Sequence, residues 1–86
     1  MQCVRLDPSD NVVTAIRPLE AGTPIETVLT TQLIPSGHKV ATADIAQGAP
    51  VYKYAQVIGY ASQDIAAGAH VHTHNLAFRA TDATYE

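Results

Sequence analysis

The stretch Ile65-Ala66-Ala67-Gly68-Ala69-His70-Val71 is one copy of a unit that the 86-residue chain contains four times. In each copy an apolar residue is followed by two residues, a glycine, two more residues and then Val or Ile. The other copies are Leu19-Glu20-Ala21-Gly22-Thr23-Pro24-Ile25, Ile34-Pro35-Ser36-Gly37-His38-Lys39-Val40 and Ile45-Ala46-Gln47-Gly48-Ala49-Pro50-Val51. Glycine allows the positive φ that a tight turn needs, and a β-branched residue favours a half-buried strand. The unit therefore predicts a turn followed by a short strand, reused within a single domain.

Strand-sized segments separated by turn signals extend over most of the chain. The predicted strands are residues 11–16, 27–33, 50–54, 56–60 and 69–75. Prolines exclude long helices, so only one-turn helical pieces are predicted, at Ala41–Asp44 and Ala61–Asp64. Short strands spaced about every 8–12 residues indicate an all-β fold. We expect residues 1–76 to form the domain and residues 77–86 to be a C-terminal tail or partner-docking segment.

The composition narrows the class of protein. The formal net charge is −3 and the five Lys and Arg residues are scattered, so neither a basic stripe nor a nucleic-acid partner is expected. No apolar run approaches the roughly 20 residues that span a bilayer, and the N-terminus lacks the apolar segment of a signal peptide. We therefore predict no membrane partner and a cytoplasmic location, with which the single Cys3 agrees.

The small size and low charge of the chain point to an interface. A domain of this length buries only about 60–65% of the surface that its unfolded chain exposes, so its own core stabilises it weakly. Charged residues make up only 15% of the chain, which leaves much neutral surface. Both features favour association with a partner or with further copies in a homo-oligomer.

Three of the four histidines alternate in the stretch His70-Val71-His72-Thr73-His74-Asn75. In an extended strand they would share one face, with the outer pair roughly 13 Å apart. Two neighbouring histidines could then hold one metal ion, and all three could do so only if the strand bends or ends near His74. Imidazole also suits acid–base chemistry, because its unperturbed pKa is about 6.5. The spacing leaves open a metal site, an acid–base site or a solvated face without a task.

Several motifs follow one another in order: Asp10-Asn11-Val12, Ser36-Gly37-His38-Lys39-Val40-Ala41, Asp44-Ile45-Ala46-Gln47-Gly48, Val51-Tyr52-Lys53-Tyr54, Ile58-Gly59-Tyr60-Ala61 and residues 64–75. In this order they resemble the SAF-type (β-clip) N-terminal domain of the altronate and galactarate dehydratase family. The resemblance implies a small SAF-like β-clip domain of a lyase that removes water from sugar acids with a divalent metal, iron or manganese. Ala55 stands where the family often has glycine, which affects only a turn.

The resemblance also implies a partner and a set of site residues. Because the chain ends soon after the last motif, the large catalytic lyase domain is expected on a separate subunit, which would hold most of the metal site. The implied substrate is a small hydroxy acid. The implied catalytic residues are His38, His72 and His74, and two of them, His72 and His74, are the implied metal ligands. The implied substrate-binding residues are Lys39, His70 and Asn75.

Three other functions are compatible with the same motifs. The small subunit of (2R)-sulfolactate sulfo-lyase resembles this chain as well, which would mean C–S rather than C–O cleavage. A non-catalytic SAF module that binds sugar or a protein partner, or a homo-oligomeric structural protein, would use the histidines differently or not at all. A large lyase subunit encoded beside this chain would favour the enzymatic functions.

Overall fold

The computed structural model describes residues 2–5 and 7–78, and they form nine short strands. The strands are β1 (Cys3–Val4), β2 (Val12–Ala15), β3 (Pro24–Ile25), β4 (Val28–Leu29), β5 (Lys39–Ala41), β6 (Pro50–Lys53), β7 (Gln56–Ala61), β8 (His70–Val71) and β9 (Leu76–Ala77). All pairings between them are antiparallel. The predicted all-β fold is confirmed. Among these residues no helix is long and apolar enough to cross a membrane.

A four-stranded sheet in the order β1-β2-β5-β8 divides the hydrophobic core into two clusters. Because side chains alternate along a strand, Val12 and Val13 point to opposite faces. Val12, Ala41 and Val71 pack on one face against residues of the three-stranded sheet β6-β7-β9. The second cluster, on the other face, contains Val13 and Val40. Strands β3 and β4 form a separate two-stranded ribbon that closes this second cluster.

The four sequence units fold as predicted, each into a turn followed by a strand. The glycine of every unit is the third residue of a β-turn and has φ between 84° and 89°. Two residues after that glycine the chain enters β3, β5, β6 or β8. The units join in pairs through their first apolar residues, since Leu19 bridges to Ile34 and Ile45 bridges to Ile65. All four of these residues are buried.

The predicted one-turn helices at Ala41–Asp44 and Ala61–Asp64 are wrong. Ala41 is the last residue of β5 and Ala61 is the last residue of β7. Within the described ranges, residues 2–5 and 7–78, no helix is present. The backbone remains extended rather than helical because Ile45 and Ile65 exchange two hydrogen bonds of 2.8 Å with each other. The preceding aspartates reinforce this pairing, since each accepts a hydrogen bond from the turn of the other unit. A helical turn would remove the bridge that joins the two units.

Other strand predictions hold in part. The strand at residues 11–16 and the strand pair at 50–54 and 56–60 are confirmed as β2, β6 and β7. Only Val28–Leu29 of the segment 27–33 forms a strand, because the ribbon β3-β4 is two residue pairs long. Ala77 of the predicted tail belongs to β9, which pairs with β7 beside Gly59. The tail beyond Phe78 lies outside the described residues.

The hairpin between β6 and β7 turns through Tyr54 and Ala55, which both have positive φ, 58° and 61°. Positive φ at both central residues defines a type I′ turn, which matches the twist of the flanking strands. The carboxylate of Asp10 accepts a hydrogen bond from each of the two turn amides, at 3.0 and 2.9 Å. Next to it, Asn11 accepts from the backbone of Tyr52 where the β6–β7 register shifts. The Asp10-Asn11 pair therefore fixes a conformation that the turn residues adopt only with strain.

We expect the substitution Ala55→Gly to raise the melting temperature by several degrees. A residue with a Cβ loses about 1–2 kcal/mol in the left-handed region, and the flexibility that glycine adds to the unfolded chain offsets part of this gain. The control is Ala21→Gly, which places glycine at an exposed turn position without positive φ and should lower the melting temperature slightly. Equal shifts in the two variants, measured by thermal unfolding, would contradict the explanation.

Candidate functional site

The histidine segment leaves the sheet sooner than its alternation predicts. β8 ends at Val71, and residues 72–75 form a turn in which the amide of Asn75 donates to the carbonyl of His72 at 3.1 Å. The predicted strand over residues 69–75 is therefore wrong beyond Val71. The side chain of Asn75 is buried and forms hydrogen bonds with backbone groups that a neighbouring strand would otherwise pair with. It accepts from His72 N at 2.9 Å and donates to His70 O at 2.8 Å.

This turn folds the histidines toward one another. The register pairs Lys39 with Val71 across β5 and β8, and continuing it by one further step along each chain places His38 opposite His72. Accordingly, the rings of His38 and His72 stack with centroids 4.0 Å apart. His38 Nδ1 lies 2.8 Å from His70 Nε2, a hydrogen bond in which one ring donates and the other accepts. We call His38, His70 and His72 the histidine cluster.

The histidine cluster has the donor set of a transition-metal site. One ring nitrogen from each of the three residues lies within 4.8 Å of the other two, and each residue is half-buried. Imidazole nitrogen binds Fe, Zn, Cu and Ni ions well, so the residues fit a divalent metal. The predicted metal pair was His72 with His74. His74 is exposed and tilts its ring toward His70, at 5.2 Å between centroids, and it lies outside the three-nitrogen group.

Two of the clustered histidines favour the neutral form. Burial lowers the pKa of His70 below its usual range, and the neighbouring imidazoles lower it further. Burial also lowers the pKa of His38, and the nearby His72 and Lys39 add to the effect. A neutral imidazole has a free nitrogen that can bind a metal or accept a proton. The cluster is therefore prepared for either role at neutral pH.

We expect the isolated chain to lose stability as the pH falls from about 7 to about 5. In this window the histidines of the unfolded chain bind protons, whereas His38 and His70, whose pKa values folding lowers, resist protonation. The unfolded state then holds more protons, so the melting temperature should fall as acid is added. The double variant His38→Gln/His70→Gln should show a flatter dependence, and a wild-type melting temperature that rises toward pH 5 would refute the sign.

The structure separates two predicted substrate-binding residues from the histidine cluster. Lys39 is opposite Val71 in the sheet, so its side chain lies on the other face from His70. Burial lowers the pKa of Lys39, and the charge of Lys53 lowers it further. Asn75 faces the backbone of the turn beneath the cluster, where both ends of its amide are used. The contacts of Lys39 and Asn75 with a substrate stay predictions.

The sequence contained a signal for the cluster geometry. His38 follows the turn glycine of the second unit, and His70 lies one residue further along in the fourth unit. Antiparallel pairing of these two units is enough to bring His38 beside His72. The turn at residues 72–75 was harder to find, because it contains neither glycine nor proline and depends on the side chain of Asn75.

Comparison with known proteins supports the lyase resemblance. The sequence model of the altronate/galactarate dehydratase SAF domain matches residues 1–79. The chain is 45% identical over 86 residues to altronate dehydratase of Escherichia coli (strain K12), covering 95% of this chain and 17% of that protein. It is 32% identical over 83 residues to altronate dehydratase of Bacillus subtilis (strain 168), covering 92% and 17%. The chain thus spans about a sixth of the length of these two relatives.

A second group of relatives carries the name of a sulfo-lyase rather than of a dehydratase. Over 43 residues the chain is 49% identical to (2R)-sulfolactate sulfo-lyase subunit alpha of Chromohalobacter salexigens, covering 50% of this chain and 46% of that subunit. Over 42 residues it is 50% identical to the same subunit of Paracoccus pantotrophus, covering 49% and 63%. Both groups of relatives are lyases by name.

Proposed function

This chain belongs to the altronate/galactarate dehydratase SAF-domain family, and from that premise we propose that it is the small subunit of a two-component lyase. The proposed reaction removes water from a sugar acid such as altronate or galactarate. The observation that carries this proposal is the convergence of His38, His70 and His72 on one surface, where a partner subunit could complete an active site.

A large partner subunit is part of the proposal because the chain corresponds to a small part of the altronate dehydratases. The sulfo-lyase relatives support the two-component arrangement, since each is named as a subunit alpha. In the Chromohalobacter salexigens subunit, 43 aligned residues are nearly half of the protein, so that subunit is itself a short chain. The large subunit would supply most of the substrate pocket, and the small subunit would present its histidines to it.

The proposed cofactor is a divalent metal, iron or manganese, bound mainly with the large subunit. From this chain His38, His70 and His72 would contribute, because their ring nitrogens already lie close together. When bound, such a metal stabilises negative charge that develops on oxygen atoms of the substrate. His72 belongs to both the predicted metal pair and the observed cluster, so it is the preferred ligand of this chain.

The histidines can also move protons. Loss of water from a sugar acid requires a base that removes the proton next to the carboxylate and an acid that protonates the departing hydroxyl. The hydrogen bond between His38 Nδ1 and His70 Nε2 holds one proton between two rings. His74, exposed beside His70, could exchange that proton with the substrate or with water. In this proposal Asn75 is a positioning residue, because it holds the turn that brings these rings together.

The sulfo-lyase activity is the second candidate function. It is favoured by the 49% and 50% identity to the two alpha subunits, although each match covers only about half of this chain. Both activities remove a group from the carbon next to a proton-bearing centre, so the same histidines could serve either. The identity of the large subunit, rather than any residue of this chain, would select between them.

The experiment is co-expression of this chain with a large lyase subunit encoded beside it, followed by purification of the complex. Altronate and galactarate should yield the 2-keto-3-deoxy acids, and sulfolactate should be tested for release of sulfite. Neither subunit alone should turn over the substrate. A stable complex without activity on either class of acid would favour the non-catalytic binding module, and full activity of the large subunit alone would exclude a catalytic role for this chain.

A further inference from the structure

A second surface feature, a cavity with a mostly apolar wall, lies on the face of the four-stranded sheet opposite to the histidine cluster. This cavity has a volume of about 180 Å³, and its walls include Val4, Val12, Thr14, Lys53 and Tyr54. None of the four histidines, all of which the structure describes, lines this cavity. The two surfaces are therefore separated by the sheet itself.

Two residues that line this cavity carry hydrogen-bond donors, Thr14 and Lys53, and a third donor, Lys39, lies beside it. Thr14 Oγ1 is buried and has no hydrogen-bond partner among the residues of the described ranges. Lys39 lies directly across from Thr14 in the β2–β5 pair, so the two side chains share a face. Within the described part of the chain, neither Lys39 nor Lys53 forms an ion pair with an acidic residue. Instead, Lys53 Nζ lies 4.7 Å from the centroid of the Tyr54 ring, at the wall of the cavity.

The charges around the cavity are unbalanced in favour of an anion. Lys39 and Lys53 are close enough for the charge of one to disfavour the charge of the other. Asp10 also lines the cavity, but both of its carboxylate oxygens are occupied by the amides of the β6–β7 turn. Two ammonium groups and one carboxylate leave one positive charge in excess. A singly charged anion would neutralise that excess. Rotation of the Thr14 side chain about χ1 would turn its hydroxyl, which is buried in this structure, toward the anion and so give it an acceptor.

We propose that this cavity binds the carboxylate of a small organic acid between Lys39 and Lys53, with Thr14 Oγ1 as the third donor. Drug-sized ligands need cavities of about 300–1,000 Å³, so this smaller cavity suits only a short acid. Val4 and Val12 form an apolar wall for its carbon chain. A phosphate dianion brings more negative charge than the excess positive charge can neutralise. The site goes beyond the proposed lyase function, because it lies on the other face of the sheet and uses no histidine.

The test is a titration of the full chain with sodium acetate, observed by NMR at constant ionic strength. The ε-methylene signals of Lys39 and Lys53 and the signals of Thr14 should shift and saturate in the millimolar range, whereas the ring signals of His70 should not move. Lys53→Gln should weaken acetate binding about fivefold or more, and Thr14→Val, which keeps the side-chain shape, by a few-fold. Inorganic phosphate at the same ionic strength should bind more weakly than acetate.

The matched control is Arg17→Gln, which removes the same charge at an exposed position outside the cavity and should leave acetate binding unchanged within about twofold. Shifts that rise linearly without saturation, or an equal loss in Arg17→Gln and Lys53→Gln, would overturn the proposal. Tighter binding of phosphate than of acetate would overturn the assigned ligand class. If Lys53→Gln does not fold, the Thr14→Val variant tests the proposal instead. Acetate binding with wild-type affinity in that variant would contradict the role of Thr14 as the third donor. None of these outcomes depends on lyase activity.

Discussion

Replacing His72 with alanine should lower the turnover of the reconstituted two-subunit lyase by a factor of about ten or more. His72 contributes one of the three convergent ring nitrogens, and its ring stacks on His38 with centroids 4.0 Å apart. Its removal takes away one potential metal ligand and also the ring that stacks on a second potential ligand, His38. The same variant should bind Mn²⁺ or anaerobic Fe²⁺ more weakly in equilibrium dialysis of the complex, a measurement that does not require turnover.

The variant His74→Ala separates the observed cluster from the pair predicted from the sequence. His74 is exposed and its ring nitrogens lie outside the three-nitrogen group, so its removal should leave the metal content of the complex unchanged. If His72 and His74 were the metal pair, both variants would lose metal to a similar extent. Full turnover of His72→Ala, with the complex intact, would exclude a catalytic role for that residue.

Much of the fold could be predicted from the repeated unit. Its glycine marks the turn, its first apolar residue is buried and its last residue lies in a strand, because each of these depends on local conformation and burial. The pairing of the units could not be predicted in the same way. Four similar units offer several antiparallel arrangements, and only the complete packing selects Leu19 with Ile34 and Ile45 with Ile65.

The candidate site shows where strand alternation helps and where it misleads. Alternation puts Lys39, the first residue of β5, and His38, the residue just before it, on opposite faces of the sheet, and this separation could have been inferred from the sequence. Alternation also predicts a row of three histidines spread along one strand, which the structure replaces with a compact cluster. The difference arises from Asn75, whose side-chain amide satisfies the backbone of His70 and His72 and so ends the strand.

Replacing Gly68 with alanine should destabilise the chain by about 3 kcal/mol or more, a large share of the roughly 4–13 kcal/mol expected for a domain of this size. Gly68 has a φ of 89°, and a Cβ at this position would overlap the carbonyl oxygen of Leu29. The ribbon cannot simply move away, because Gly68 O accepts a hydrogen bond from Thr31 N at 3.0 Å. On the other side, Gly68 N donates to Ala41 O at 2.7 Å. The added methyl group must therefore break one of these contacts or distort the turn that leads into β8.

Gly22 provides the matched control, because it occupies the same position of the first unit with a φ of 84° and nothing lies within 4 Å of its Cβ site. Gly22→Ala should cost only the conformational strain, about 1 kcal/mol, which corresponds to a fall of about 4–8 °C in melting temperature. Thermal and urea unfolding of both variants measure the difference, and equal losses would show that strain rather than the Leu29 contact sets the requirement for glycine. Because β8 carries His70, Gly68→Ala should also disturb the ring signals of the histidine cluster in NMR spectra, whereas Gly22→Ala should leave them in place.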